Sequence, residues 1–225
     1  MRNLLLLSLL AILVFGCNTT ETSNSSDRKN ENGTSDKKYA IKSGIINYKI
    51  NMMGMETKMN VFFQDYGKTE ASVTETEIMG KKAILQTLQK DNFYYNFSTD
   101  KKTGSKYQMD GNDTIEEPGT KKMTVAYILK KGGKKVGSEK ILDKDCNIYQ
   151  YTENGVESKV WIWHNMFLKN IVSQNGMEMI MVATKIEETN SFPSGIFEVP
   201  KNIIFSNPAD EMKSDPDFEN KDAKG

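Results

Sequence analysis

The chain has 225 residues, with 30 Lys+Arg balanced by 30 Asp+Glu and one histidine. That length suits one ordinary domain with extensions, and the charge balance excludes a strongly basic nucleic-acid binder or an acidic solvating protein. The arginines are Arg2 and Arg28, the histidine is His164 and the cysteines are Cys17 and Cys146, which leaves little material for catalytic or metal-binding designs.

Residues 1–16 read as a signal peptide. Arg2 supplies the charged start, and Leu4 to Phe15 is an apolar run broken only by Ser8. Its length matches the ~7–15 residues of a signal h-region and falls short of the ~20 that a transmembrane helix needs. Val14-Phe15-Gly16-Cys17 resembles the lipobox of bacterial lipoproteins, with Phe15 where a small or aliphatic residue is usual. The resemblance implies cleavage before Cys17, a diacylglycerol thioether on its sulfur, and an N-acyl chain such as palmitate. Several acyl chains, at about 0.8 kcal/mol per buried CH₂, hold a protein stably to a bilayer. In the sorting systems this resembles, Asp after the cysteine favours inner-membrane retention. Asn18 therefore implies the outer membrane, with the facing side left open. Lipidation of Cys17 leaves Cys146 alone in the mature chain, so an intrachain disulfide is excluded.

Residues 18–38 contain no aliphatic or aromatic side chain and are expected to form, with Cys17, a lipidated flexible tether over 17–38. A coil of that length spans roughly 25 Å root-mean-square. Residues 39–207 then hold most of the aromatic and β-branched residues and form the expected core domain. Residues 208–225 are polar and acid-rich and are expected to be a disordered tail.

Within 39–207 the pattern predicts strands joined by short turns. Ile46, Tyr48 and Ile50 alternate in the first strand, Gly54 marks a turn, and Lys58–Tyr66 runs back. Further strands are expected near 69–78, 82–90, 92–99 and 103–109, followed by a Gly/Asn/Asp/Pro loop over 110–119. Met123–Lys131 is the helix candidate, flanked by lysines and stopped by Gly132-Gly133. Strands near 145–153, 157–164, 167–174 and 177–188 follow. Asn154-Gly155 and Asn175-Gly176 are strong hairpin signals, because both residue types tolerate the positive φ of a type I′ turn. Trp161 and Trp163 alternate with Val160, Ile162 and His164, so both faces of that strand require cover.

Lys135-Val136-Gly137, Ile141, Cys146, Tyr149, Val160-Trp161-Ile162 and Leu168-Lys169 resemble the second half of an uncharacterised domain family of Gram-negative lipoproteins and periplasmic proteins. Ile196-Phe197-Glu198-Val199-Pro200 resembles the closing Phe-x-x-Pro strand of the Lol-pathway lipoprotein carriers and receptors, and Gly44–Tyr48 fits their opening strand. The resemblance implies a mainly β (α+β), LolA-like fold. This is a curved antiparallel half-barrel of about eleven strands with one or a few short helices. In the Lol members the concave face holds acyl chains. Those carriers latch their lid with an arginine, and residues 39–207 contain none.

Chemistry is sparsely provided. Cys146 and His164 are the sole thiol–imidazole pair open to a nucleophile system, and the alternative is a buried small hydrophobe and a strand-end histidine. No CxxC or HExxH pairing exists for zinc. Gly132–Ser138 lacks the lysine of a phosphate loop, and Ile115 replaces the glycine of a calcium loop. The expectation is therefore no enzyme, no cofactor and no nucleic-acid partner. Lys121, Lys122, Lys130, Lys131, Lys134 and Lys135 form a positive cluster, either a solvated helix end or a contact for anionic headgroups. Thr114, in Asp113-Thr114-Ile115, resembles a short O-glycosylation acceptor.

Methionine is enriched, with 13 in the chain. Met52, Met53, Met55 and Met59 flank the first hairpin, and Met177, Met179 and Met181 share one strand face. Three readings stand: core filler, a soft Cu(I) site, and a pliant wall for apolar ligands. The expected cavity residues are Met59, Met177, Met179, Met181, Trp161 and Trp163. The functional expectation is a non-enzymatic, outer-membrane-anchored lipoprotein that binds a lipid or other apolar ligand. The alternatives are a partner-binding or structural module with a filled core, and a methionine-based metal chaperone. Cys17→Ser is expected to abolish acyl-chain labelling and release the protein from membranes; a variant that stays in the membrane fraction refutes lipidation as the anchor.

Overall fold

In the computed structural model, residues 37–78, 80–109 and 125–206 are described. Cys17, the signal peptide and nearly all of the tether, Thr114, Lys121, Lys122 and the acidic tail lie outside them. The alternating segments form β1 (Gly44–Met52), β2 (Met55–Gln64), β3 (Thr69–Ile78), β4 (Lys81–Lys90), β5 (Phe93–Ser98) and β6 (Thr103–Gln108). A short helix α1 (Val125–Lys130) precedes β7 (Lys134–Ile141), β8 (Lys144–Glu153), β9 (Val156–Trp163), β10 (Met166–Gln174), β11 (Met177–Glu188) and β12 (Ile204–Ser206).

All twelve strands belong to one curved, unclosed sheet, in the order β12-β6-β5-β4-β3-β2-β1-β11-β10-β9-β8-β7. Every pairing is antiparallel except β12 on β6. The mainly β half-barrel expected from the sequence is thus the observed class. The turns explain the local order. Asn154 and Gly155 have φ of 52° and 77°, and Asn175 and Gly176 have 51° and 77°. Paired positive φ values match the right-handed twist of the flanking strands.

Three details differ from the sequence reading. β7 is not among the expected strands. Its side chains are exposed over nearly its whole length, so no buried face imprints an alternation on it. The closing strand is Ile204–Ser206, whereas Ile196-Phe197 sits in a turn at which Glu198 N–H donates to the Gly195 carbonyl, 3.0 Å. The core also begins one residue before the expected boundary, because Lys38 is buried.

The register defines two faces. Ile46, Tyr48, Ile50 and Met52 of β1 share the face of α1, which packs through Ile128 on Tyr151, Val160 and Ile162. This helix face continues through Val61, Ser72 and Thr87 towards β5. On the opposite face, residues 189–206 cross the sheet and bring Ile196, Phe197, Ile203 and Phe205 against Ala71, Leu88, Tyr95 and Phe97.

The entry of the chain is fixed by a buried ion pair. Lys38 Nζ lies 2.7 Å from Glu70 Oε2, with both side chains 5% exposed, and the Tyr39 hydroxyl donates to the same carboxylate. The Tyr39 ring packs on Phe63 at 4.6 Å. Removing one member of such a pair strands a charge, whereas replacing both with apolar groups does not. Glu70→Ala is expected to cost about 3–5 kcal/mol in urea unfolding, and Lys38→Met with Glu70→Leu to recover most of it. A double variant no more stable than Glu70→Ala refutes this account.

Candidate functional site

The pairing of β1 with β11 assembles the methionines. Met52 lies opposite Met55 on β2 and opposite Met179 on β11, so three methionines form a row across three strands of the helix face. In the next row Met181 pairs with Ile50, and beyond it Met59 and Ala183 flank Tyr48. Met59, Met179 and Met181 are between 2% and 4% exposed and belong to one contiguous cluster with Ile50 and Met52.

At the end of the sheet the row opens to solvent. The β1–β2 and β10–β11 turns lie side by side there, and Met53, Met55 and Met177 are 63%, 37% and 45% exposed. A rim of exposed methionine therefore leads onto a face of buried methionine. Thioether chains have three soft torsions and adapt to irregular apolar shapes.

Trp161 joins the same apolar cluster, with Trp163 packed against it, but by register both start from the other face of β9. Val160 pairs with Asn170, and Asn170 with Met181, which puts Val160 on the helix face and Trp161 on the other. There Trp161 Nε1 donates to Glu139 Oε2 at 2.6 Å, and Lys169 Nζ lies 4.3 Å from the ring centroid. Trp163 carries Lys144 Nζ at 4.6 Å. Of the six expected wall residues, Met59, Met177, Met179 and Met181 share the helix face by register, while Trp161 belongs to the same contiguous apolar cluster as Met59, Met179 and Met181, with Trp163 packed against it. The sequence showed the alternation within each strand but not which alternating set of one strand meets which set of another.

Sequence reasoning missed Asn170. It is 1% exposed on the helix face, between Val160 and Met181, and among the described residues its Oδ1 has no hydrogen-bond partner. Several other polar groups of this face are paired: Ser72 Oγ lies 2.8 Å from Thr87 Oγ1, and Thr57 donates to Thr76 at 2.9 Å. The Tyr48 hydroxyl donates to the Phe167 carbonyl at 2.9 Å.

The two members of the thiol–imidazole pair differ in burial. Cys146 is buried, with Sγ 3.4 Å from the Lys144 carbonyl, and burial pushes its thiol pKa up. His164 is exposed in the β9–β10 turn, its ring against Trp163. Among the described residues no three His, Cys, Asp or Glu side chains are grouped to hold a metal ion. In the lysine cluster, Lys131 pairs with Glu153 at 2.6 Å, while Lys130, Lys134 and Lys135 are exposed. Among the described residues no helix is long and apolar enough to cross a membrane.

No family model matches the chain, and no curated protein matches it significantly. Solved structures do resemble it. An uncharacterized conserved protein from Thermus thermophilus superposes with a TM-score of 0.50 at 9% identity, over 75% of this chain and 91% of that one. The Mycobacterium tuberculosis lipoprotein LppX gives 0.40 at 11%, over 68% and 91%. A LolA superfamily protein from Nitrosomonas europaea gives 0.37 at 11%, over 72% and 92%. At these identities the likeness to the Thermus protein is one of fold.

The phenols of the helix face set an alkaline limit. Burial is the main cause that raises the Tyr48 and Tyr94 pKa values well above the ordinary 10.0, with the Glu70 charge adding to it. Because the folded pKa values are raised, their contribution is complete below pH 10 and is lost as pH rises beyond it. Unfolding free energy is expected to fall above pH 10 by up to about 1.4 kcal/mol per pH unit for each phenol. Tyr48→Phe is expected to flatten that slope in denaturant titrations; an unchanged slope removes Tyr48 from the account.

Proposed function

We propose that this protein is a membrane-anchored envelope lipoprotein that binds a lipid or other apolar ligand along the methionine row of its helix face. The observation that carries the reading is the continuity from the exposed Met53, Met55 and Met177 to the buried Met52, Met179 and Met181. Exposed apolar groups grouped at one end of a sheet mark an interaction site, and methionine suits varied acyl chains. α1, with Ile128 as its buried residue, is a small cover on the adjoining strands. The lipobox-like Val14–Cys17 supports the anchor, and Asn18 supports the outer membrane. No catalytic step is part of this role. The absence of arginine from residues 39–207 also supports an uncharged ligand over a phosphate-bearing one.

A second reading, a filled-core module that binds a partner protein, is favoured by the near-complete burial of Met59, Met179 and Met181.

Native mass spectrometry of the mature chain, made soluble by Cys17→Ser, separates the two readings. Co-purified lipid mass, lost when Met55→Glu and Met177→Glu are combined, is the expected result. A lipid-free protein that takes up no lipid from mixed micelles decides for the filled core.

A further inference from the structure

Asn170 lies within this apolar surface, and among the described residues its side-chain carbonyl finds no donor. Its same-face neighbours are Val160 on β9, Met181 on β11, and Val172 along its own strand, with Leu168 at the adjoining register shift. Val160, Leu168 and Met181 are at most 2% exposed. None of these side chains offers a strong donor or acceptor. A buried amide without a partner is strongly disfavoured, and leucine fits such surroundings without that penalty. Asn170 also stands at a particular place. On one side Val160 leads to Ile128 of α1, and on the other Met181 and Met179 lead to the exposed methionine rim.

We propose that Asn170 is the polar recognition point of the ligand site, and that it selects a neutral, hydroxyl-bearing amphiphile of the long-chain alcohol or acylglycerol class. This rests on the apolar-ligand reading above. The amide carbonyl accepts from the ligand hydroxyl, while the chain lies along Met181, Met179 and Met52 towards the rim. A carboxylate fits poorly, because the neighbours of Asn170 carry no cation to balance a desolvated charge. A plain alkane fills the same methionine surface and leaves the amide unpaired.

The test uses the delipidated mature chain bearing Cys17→Ser, with 1-dodecanol, dodecane and dodecanoate as probes in competition native mass spectrometry at pH 8. One net hydrogen bond predicts about tenfold tighter binding of the alcohol than of the alkane, with dodecanoate weaker than the alcohol. Asn170→Leu is expected to bind alcohol and alkane alike, keep its alkane affinity, and melt a few degrees higher without ligand. Equal binding of alcohol and alkane by the wild type overturns the assignment, by showing that Asn170 gives the ligand no hydrogen bond. A fall in Tm for Asn170→Leu also overturns it, by showing that the amide is satisfied within the protein. If no probe binds the wild type, the apolar-ligand reading itself fails; if all three bind with equal affinity, that reading stands and only the role of Asn170 is lost.

Discussion

One strand pair holds the architecture together. β1–β6 form one local meander and β7–β11 another, each built from neighbours joined by short turns. Their strands pair with one another along β1 and β11, where Gly44 pairs with Glu188 and Met52 with Met179. Bringing together segments about 140 residues apart costs roughly 4 kcal/mol of loop-closure entropy, far more than closing a hairpin. The pair offsets this with the largest apolar cluster of the protein, in which Ile46, Ile50, Met59, Val61 and Phe63 meet Met179, Met181 and Ala183. Its register shifts between Asn47 and Tyr48, and Thr184, beside the shift on β11, donates its hydroxyl to the Asn47 carbonyl. Such a bulge bends the strand and re-aims the side chains beyond it.

The candidate site inherits that dependence. Met52 and Met55 belong to the first meander, and Met177, Met179 and Met181 to the second. Neither meander alone makes a methionine row. The buried ion pair at the chain entry acts at a different place. Lys38 and Tyr39 cap the far end of the helix face beside Phe63, opposite the turns that carry the exposed methionines. The two ends are therefore chemically unlike. One is sealed by a charge pair with its hydrogen bonds satisfied, and the other is soft and apolar.

What could be read from the sequence follows the range of the interactions. Alternation and positive-φ turns are local, so the paired strands around Asn154-Gly155 and Asn175-Gly176 were legible. β7 was not, since KKVGSEKI is an exposed edge strand whose lysines protect an open edge and do not bury a face. β12 was not, since three residues in parallel pairing depend on where β6 already lies. The grouping of Met177, Met179 and Met181 was legible as a period-two pattern. The face of β9 that Trp161 takes was not, because it depends on which residue of β9 pairs with Asn170. Lys38 read as tether because lysine is seldom buried, and its partner Glu70 lies on a strand that the sequence does not connect to it.

Asn170 is unusual when set against the other polar groups of the same face. In the first meander, hydroxyls meet across neighbouring strands: Ser72 with Thr87, and Thr57 with Thr76. Those contacts close on themselves and need nothing from outside. Tyr48 spans the junction of the meanders and donates to the Phe167 backbone, which also closes. The Asn96 carbonyl on β5 lacks a donor too, but that residue is only half-buried. Asn170 differs from it in being fully buried, among methionine and valine. Where the hydroxyl pairs of this surface close on themselves, the Asn170 carbonyl is left open at a place where leucine would fit, which is the opening that the proposed ligand hydroxyl would fill. The methionine rim is the nearest soft boundary through which such a ligand can enter.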